Sequence, residues 1–200
     1  QPNQKGVVAI EGPLPPGCLQ TVWGDDDRFV KTYWTTVPGK MVYSTFDWGI
    51  KDEDGYFFIL GRTDDVINVA GHRLSTAEME EIVASHHAVA ECAVIGIHDE
   101  LKGQTPLALV MTKHGEEIEH YQLEQEIIKL VRQQIGAVAS LRNVVIVERL
   151  PKTRSGKILR KLMRSIADGD DFQIPSTIDD ESIVDEIITV LTKYQIGVYK

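Results

Sequence analysis

Positive charge, cysteine, aromatic side chains and long apolar runs are all scarce in this sequence, and each scarcity closes off a class of protein. Lysine and arginine number 21 against 30 aspartate and glutamate, for a net charge of −9. That balance argues against general binding to nucleic acid or to acidic membranes. No apolar run approaches the roughly 18 residues that a membrane helix needs. The opening Gln1-Pro2-Asn3-Gln4-Lys5 lacks the apolar core of a secretory signal. The expectation is therefore a cytoplasmic chain with no membrane partner. Only two cysteines occur, Cys18 and Cys92, without metal-ligand spacing around either, and both read as buried reduced thiols. What remains, 42% hydrophobic and 26% charged over 200 residues, fits a soluble globular domain plus part of a neighbour.

Residues 1–63 read as β-structure. Val7 to Ile10 and Met41 to Tyr43 are short strands, and Gly12 to Gly17, rich in proline, cannot be regular. Trp48 to Lys51 and Tyr56 to Leu60 flank the turn sequence Asp52-Glu53-Asp54-Gly55. Apolar residues are too few here to build a core, so this section reads as an edge of something larger. After residues 64–65 the character changes. Val66 to Val69 and Arg73-Leu74 can pair around Ala70-Gly71-His72, and Ser75-Thr76-Ala77-Glu78 is a capping box. Met79, Ile82, Val83 and His86 share one stripe of the helix that follows. Cys92 to Ile97, Leu107 to Met111 and Val144 to Val147 are strands. Helices are marked by Leu123, Ile127, Leu130, Val131 and Ile135, then by Ile158, Leu159, Leu162 and Ile166. The expected fold is α+β, with a β-hairpin, a three-stranded sheet and flanking helices over 66–167. Residues 168–200 read as an acidic tail with a short helix from Ile183 to Leu191.

Two motifs stand out. Leu150-Pro151-Lys152-Thr153-Arg154-Ser155-Gly156-Lys157 opens a run that carries six basic residues by Arg164 and no acidic one. A solvated basic face is one reading, and a nucleic-acid patch is another, though the interleaved aromatics of single-strand binders are missing. A third is phosphate chemistry, in which a loop lysine is aimed where negative charge builds up. The second motif runs from Gly61 to Arg73, with Gly71 in a turn between Arg62 and Arg73. A glycine there suits a plain hairpin, or a backbone that a ligand approaches closely. Asp64-Asp65 has no partner ligands at metal spacing, so no metal site is assigned.

Asp52 to Tyr56, Gly61 to Asp65, Asn68 to Arg73 and Pro151 to Lys157 follow in the order and spacing of the AMP-forming acyl-CoA synthetases, which this chain resembles over nearly its whole length. Thr45-Phe46-Asp47-Trp48-Gly49, Thr63 to Ser75 and Pro175 to Asp180 look most like the propionate–CoA ligase branch. The resemblance implies activation of a short acid such as propionate by ATP to an acyl-adenylate, then acyl transfer to CoA, with magnesium accompanying the full enzyme. It implies that residues 66–167 are a mobile lid hinged at Asp64, and that a missing amino-terminal domain supplies the acid pocket. By the same resemblance Asp47 holds the ATP ribose, Arg62 and Arg73 reach the nucleotide, and Lys157 contacts the reacting oxygens. Gly71 and Ala70 line the CoA tunnel, and Arg132 binds the CoA nucleotide. Lys157 is also where such enzymes take regulatory acylation, which implies acylating and deacylating enzymes as partners.

Three positions depart from or qualify that pattern. Ala70 stands where acetate-type relatives carry serine, and Phe46 replaces a glycine. His86 lies near a magnesium site reported for such enzymes, yet reads better as a packed helix-end histidine. The start at Gln1, inside a β-region, favours an enzyme piece that is inactive alone. The alternative is a free-standing lid-like binding or regulatory module without chemistry.

Overall fold

Residues 92–97 and 107–111 are apolar at every position bar glycine, a pattern that fits strands covered on both faces. In the computed structural model, which describes all residues except Gln1, Asp64, Glu117 and Lys200, they form the middle of two long strands. Val89–Asp99 (β6) and Gly103–Thr112 (β7) pair antiparallel. Their side chains alternate between two cores. Val94, Ala108 and Val110 point to one face, where they meet Met79, Val83, Leu123, Ile127 and Val131. Ala93, Ile95, Leu107 and Leu109 point to the other, against Leu162, Met163, Ile166, Ile187 and Leu191.

The chain divides into two compact units, residues 1–64 and 65–200. In the second unit, Val66–Val69 (β4) and His72–Ser75 (β5) form a hairpin. The hairpin is not separate from the sheet: β4 pairs with β7 at Val69 and Gly103, and the Ala70 amide donates to the Lys102 carbonyl at 2.8 Å. Asn143–Ile146 (β8) adds to β7 in parallel, so five strands form one sheet where three and a free hairpin were expected. Contact between elements so far apart in sequence leaves no local signal. Thr76–Ala84 (α2) and His120–Gln134 (α3) cover the first face. The Ser75 side chain caps α2 by accepting from the Glu78 amide, as the expected capping box requires of it.

Arg160–Asp168 (α4) and Ile183–Lys193 (α5) cover the second face. Residues 178–199 therefore pack, while 169–174 run exposed. Ile178, Ile183, Ile187, Leu191 and Ile196 are all at most 3% exposed. The acidic composition of 168–182 hides this, because the apolar residues that dock are widely spaced. The loop before α4 is stitched to this segment: Lys152 bridges Ile158, Thr153 bridges Ile178, and the Arg154 amide donates to the Thr177 carbonyl at 3.0 Å.

The first unit is an antiparallel meander of Lys5–Glu11 (β1), Val42–Lys51 (β2) and Phe57–Arg62 (β3). A helix, Asp26–Tyr33 (α1), was not foreseen, although Asp25 caps it by accepting from the Arg28 amide at 3.0 Å. The Asp52–Gly55 turn forms as expected, with the Tyr56 amide donating to Asp52 Oδ1 at 2.8 Å. Among the described residues of this unit Phe29 is the one buried large apolar side chain, while Phe57, Phe58 and Ile59 are more than half exposed. Cys92 is buried, and burial pushes its thiol up to about 12. Cys18 is exposed, against expectation, because it follows the proline-rich stretch in a loop that no element covers.

If α5 belongs to the core, Ile187→Ala destabilises the 65–200 unit by about 2–5 kcal/mol in urea unfolding. A loss below about 0.5 kcal/mol would mark α5 as a loosely attached appendage.

Candidate functional site

Residues that the resemblance singles out fall into groups, each built by its own local geometry. In the first unit, Asp47 and Arg62 are register partners on β2 and β3. The Arg62 guanidinium lies 3.8 Å from the Asp47 carboxylate and donates to the Thr45 carbonyl at 3.2 Å. Two irregularities flank the pair. On β2, Val8 faces Asp47 while Ala9 faces Ser44, so Thr45 and Phe46 are looped out as a bulge. On β3, Leu60 is the extra residue opposite Trp48 and Gly49. Phe46 adopts φ 61° within its bulge, which explains why glycine suits this position. The strain, about 1–2 kcal/mol, is offset by ring contacts: Tyr33 lies 5.7 Å away edge-on, and Arg62 lies 5.8 Å from the ring centre.

In the second unit the β4–β5 turn has two central residues, Ala70 and Gly71, at φ 49° and 87°. Positive φ at both is the signature of a tight two-residue hairpin turn. Arg73 is exposed on β5 and faces Asn68 across the hairpin. Asp64 lies outside the described residues. Its neighbour Asp65 accepts from the Thr76 amide and hydroxyl through its carbonyl, at 3.3 and 2.9 Å, joining β4 to the start of α2.

Lys157 sits in a closed loop rather than a loose one. The Thr153 amide donates to the Lys157 carbonyl at 2.9 Å, the Lys157 amide donates to Thr153 Oγ1 at 3.1 Å, and Gly156 turns the chain at φ 84°. Its side chain is exposed, and among the described residues no carboxylate pairs with it. Two neighbours in the basic run are committed elsewhere. Lys152 pairs with Glu91 at 2.6 Å. Arg160 forms two bonds to Glu80, at 2.8 and 2.7 Å, and these hold its guanidinium firmly protonated. Glu80 also accepts from the Val94 amide at 2.8 Å, which closes the open edge of β6.

Arg132, in the last turn of α3, lines a cavity of about 490 Å³ with Lys102, Arg142, Gly136, Ala137 and Ser140. Lys102 Nζ donates to Ser140 Oγ, and Ser140 itself turns at φ 53°. Lys102 and Arg142 were not singled out in the sequence, since they lie on separate elements from Arg132. The small-residue stretch 136–140 is the one local signal that a helix end opens there. Three cations and a hydroxyl around one cavity suit a phosphate-bearing group.

His86, just beyond α2, is 9% exposed. Its Nδ1 accepts from the Ala88 amide at 3.3 Å, so Nε2 carries the proton and donates to Glu126 at 2.8 Å. Hydrogen bonds from Gln122 and His86 hold the Glu126 carboxyl below its usual range. His86, His87 and Glu126 are the one potential metal cluster among the described residues. Two imidazoles and one carboxylate do not fit magnesium, which prefers oxygen ligands.

Residues 78–157 match the family described as the AMP-binding enzyme C-terminal domain. The chain is 57% identical over 195 residues to an uncharacterized protein of Pseudomonas aeruginosa, covering 98% of this chain and 31% of that protein. It is 54% identical over 189 residues to the propionate–CoA ligase of Escherichia coli, covering 92% of this chain and 30% of that enzyme. Among solved structures it is similar to the anthranilate CoA ligase AuaEII in complex with anthranoyl-AMP, at TM-score 0.68 and 28% identity, covering 82% of this chain and 30% of that one. The similarity to AMP-binding enzymes lies in their C-terminal domain, over residues 78–157. It spans about 30% of the length of the curated relatives it matches. Among the described residues no helix is long and apolar enough to cross a membrane.

Glu80→Ala leaves a largely buried guanidinium and the Val94 amide without their acceptor. The cost should be about 2–3 kcal/mol in denaturant unfolding, below the fully buried-pair value because both side chains retain some exposure. Glu80→Gln, which keeps an acceptor, should lose roughly half as much.

Proposed function

We propose that this chain is the carboxy-terminal part of an AMP-forming short-chain acyl-CoA synthetase whose acid is propionate, with residues 66–167 at the heart of its lid. The observation that carries the reading is Lys157: an exposed cation on a hydrogen-bonded loop, with no carboxylate partner among the described residues while Lys152 and Arg160 beside it have theirs. Identity of 54% with a propionate–CoA ligase supports the choice of acid.

In the first step a carboxylate oxygen of propionate attacks the α-phosphorus of ATP. The bond to the β-phosphate bridging oxygen breaks, and pyrophosphate leaves with the electron pair. Charge on the carboxyl and phosphate oxygens is what a lysine ammonium stabilises, more strongly once the site excludes water. Asp47 would accept from the ribose hydroxyls, and Arg62 and Arg73 would reach the nucleotide. Magnesium enters with ATP as part of the substrate complex. In the second step the CoA sulfur, having lost its proton, attacks the acyl carbon, and AMP leaves with its bonding electrons. Ala70 and Gly71 line the path of the thiol in this reading. Beyond its chain neighbours, no atom of the described residues lies within 4 Å of where a Cβ on Gly71 would stand, so a side chain there would project into open space that the ligand needs. Ala70 has no hydroxyl to donate to CoA. Arg132, with Lys102 and Arg142 around the same cavity, suits the phosphates of the CoA nucleotide.

The change of face between the two steps turns on Asp64 and Asp65 in this reading. Acylation of Lys157 would erase its charge and stop the first step, so acylating and deacylating enzymes are proposed partners. Residues 1–200 alone, lacking the acid pocket, should not turn over.

In the full-length protein, Lys157→Ala should lower acid-dependent pyrophosphate exchange into ATP at least 100-fold. Thioester formation from supplied propionyl-AMP should change by no more than several-fold. Equal loss in both half-reactions overturns the assignment of Lys157, and preference for acetate or butyrate over propionate overturns the assignment of the acid.

A further inference from the structure

The Lys157 loop is ordered by residues far beyond it. Residues 154–157 are exposed and bury nothing of their own, so their conformation rests on hydrogen bonds. The inner set, from Thr153 to Lys157 and from Lys152 to Ile158, closes the turn. An outer set comes from the carboxy-terminal segment. The Arg154 amide donates to the Thr177 carbonyl at 3.0 Å, and the Asp179 amide donates to the Lys152 carbonyl at 2.9 Å. Thr153 bridges Ile178, whose side chain is 3% exposed in the core beside Leu150. The segment 177–179 thus lies along the outer edge of the lysine loop, joined to it by one isolated bridge and two backbone hydrogen bonds.

Arg149 holds that segment in place. It leaves the sheet just after β8, immediately before Leu150 and Pro151. Its Nε donates to Glu186 at 3.0 Å, and its two terminal nitrogens donate to Asp180 at 2.7 Å, to Ser182 Oγ at 2.8 Å and to Glu186 at 2.5 Å. Asp180 is further fixed by the Ser182 amide and hydroxyl at 2.9 and 2.8 Å, and this set of donors keeps its carboxyl at about 2. A single exposed ion pair contributes little. A guanidinium engaged by three side chains in its own fork geometry defines position as well as charge. The clamp ties three things together: the exit of β8, the segment 177–179 and the first turn of α5.

We propose that Arg149 is a positioning residue for adenylation, acting through Asp180 and the 177–179 segment to hold the Lys157 loop in its reactive geometry. This rests on the adenylating role proposed above for Lys157. Misplacement of a catalytic group by about 1 Å costs on the order of 100-fold in rate, so a distant clamp can matter without touching substrate.

The test uses the full-length protein with Arg149→Met, Asp180→Asn and Lys157→Ala. The expected result is a 10- to 100-fold loss of propionate-dependent pyrophosphate exchange in Arg149→Met, a smaller loss in Asp180→Asn, and thioester formation from propionyl-AMP within about threefold of wild type. Hydrogen exchange at the Arg154 and Asp179 amides should speed up in both clamp variants, while amides in β6 and β7 keep their protection. If Arg149→Met does not fold, Asp180→Asn is judged by the same measurements. Equal loss in both half-reactions, or unchanged exchange at those two amides, overturns the clamp. Full adenylation in Arg149→Met beside lost adenylation in Lys157→Ala overturns the clamp alone. Full adenylation in Lys157→Ala overturns the reading of the lysine and the clamp with it.

Discussion

Burial of β6 and β7 on both faces is the constraint from which the second unit follows. The apolar middles of these strands, 92–97 and 107–111, cannot meet water on either side, so helices must cover both. One face takes α2 and α3, the other α4 and α5. Once α4 is docked by Leu162, Met163 and Ile166, the chain from β8 to α4 has to cross the end of the sheet in a short span. The Lys157 loop is that crossing. It is exposed because the core beneath it is already complete, and it is ordered because its backbone groups find partners in residues 177–179.

Polar interactions then decide which cations stay available. Glu80 and Glu91 take Arg160 and Lys152, so positive charge that a sequence reading sees as one cluster is sorted into structural and exposed members. Glu80 serves twice, since it also satisfies the β6 edge at Val94. In the first unit the equivalent work is done by backbone irregularity. The bulge at Thr45 and Phe46 turns the strand so that Asp47 and Arg62 become neighbours, and the Phe46 ring against Tyr33 and Arg62 compensates for its positive φ.

Several features were legible without coordinates. The Ser75 cap, the Asp52–Gly55 turn, the apolar stripes of α2 and α3 and the Ala70-Gly71 hairpin are local, and a few adjacent residues carry each signal. Others were missed for definite reasons. Helix α1 has few apolar residues, so its stripe is faint although Asp25 marks its start. The docking of 178–199 depends on Ile178, Ile183 and Ile187 finding a hydrophobic face built from residues more than ten positions earlier in the chain. The partners of Arg132 lie on a β-turn and a loop, and nothing in their spacing links them.

By itself the sequence determined the element types of the second unit, its central strands and the residue kinds that suit phosphate and nucleotide chemistry, because propensity, capping and periodicity act over a few neighbouring residues. Only the tertiary structure decided that the hairpin joins the main sheet, that the acidic segment braces the lysine loop, and which basic side chains are neutralised. Those outcomes depend on contacts between residues tens of positions apart, such as Glu80 with Arg160 and Arg149 with Glu186, and chain topology alone brings such pairs together.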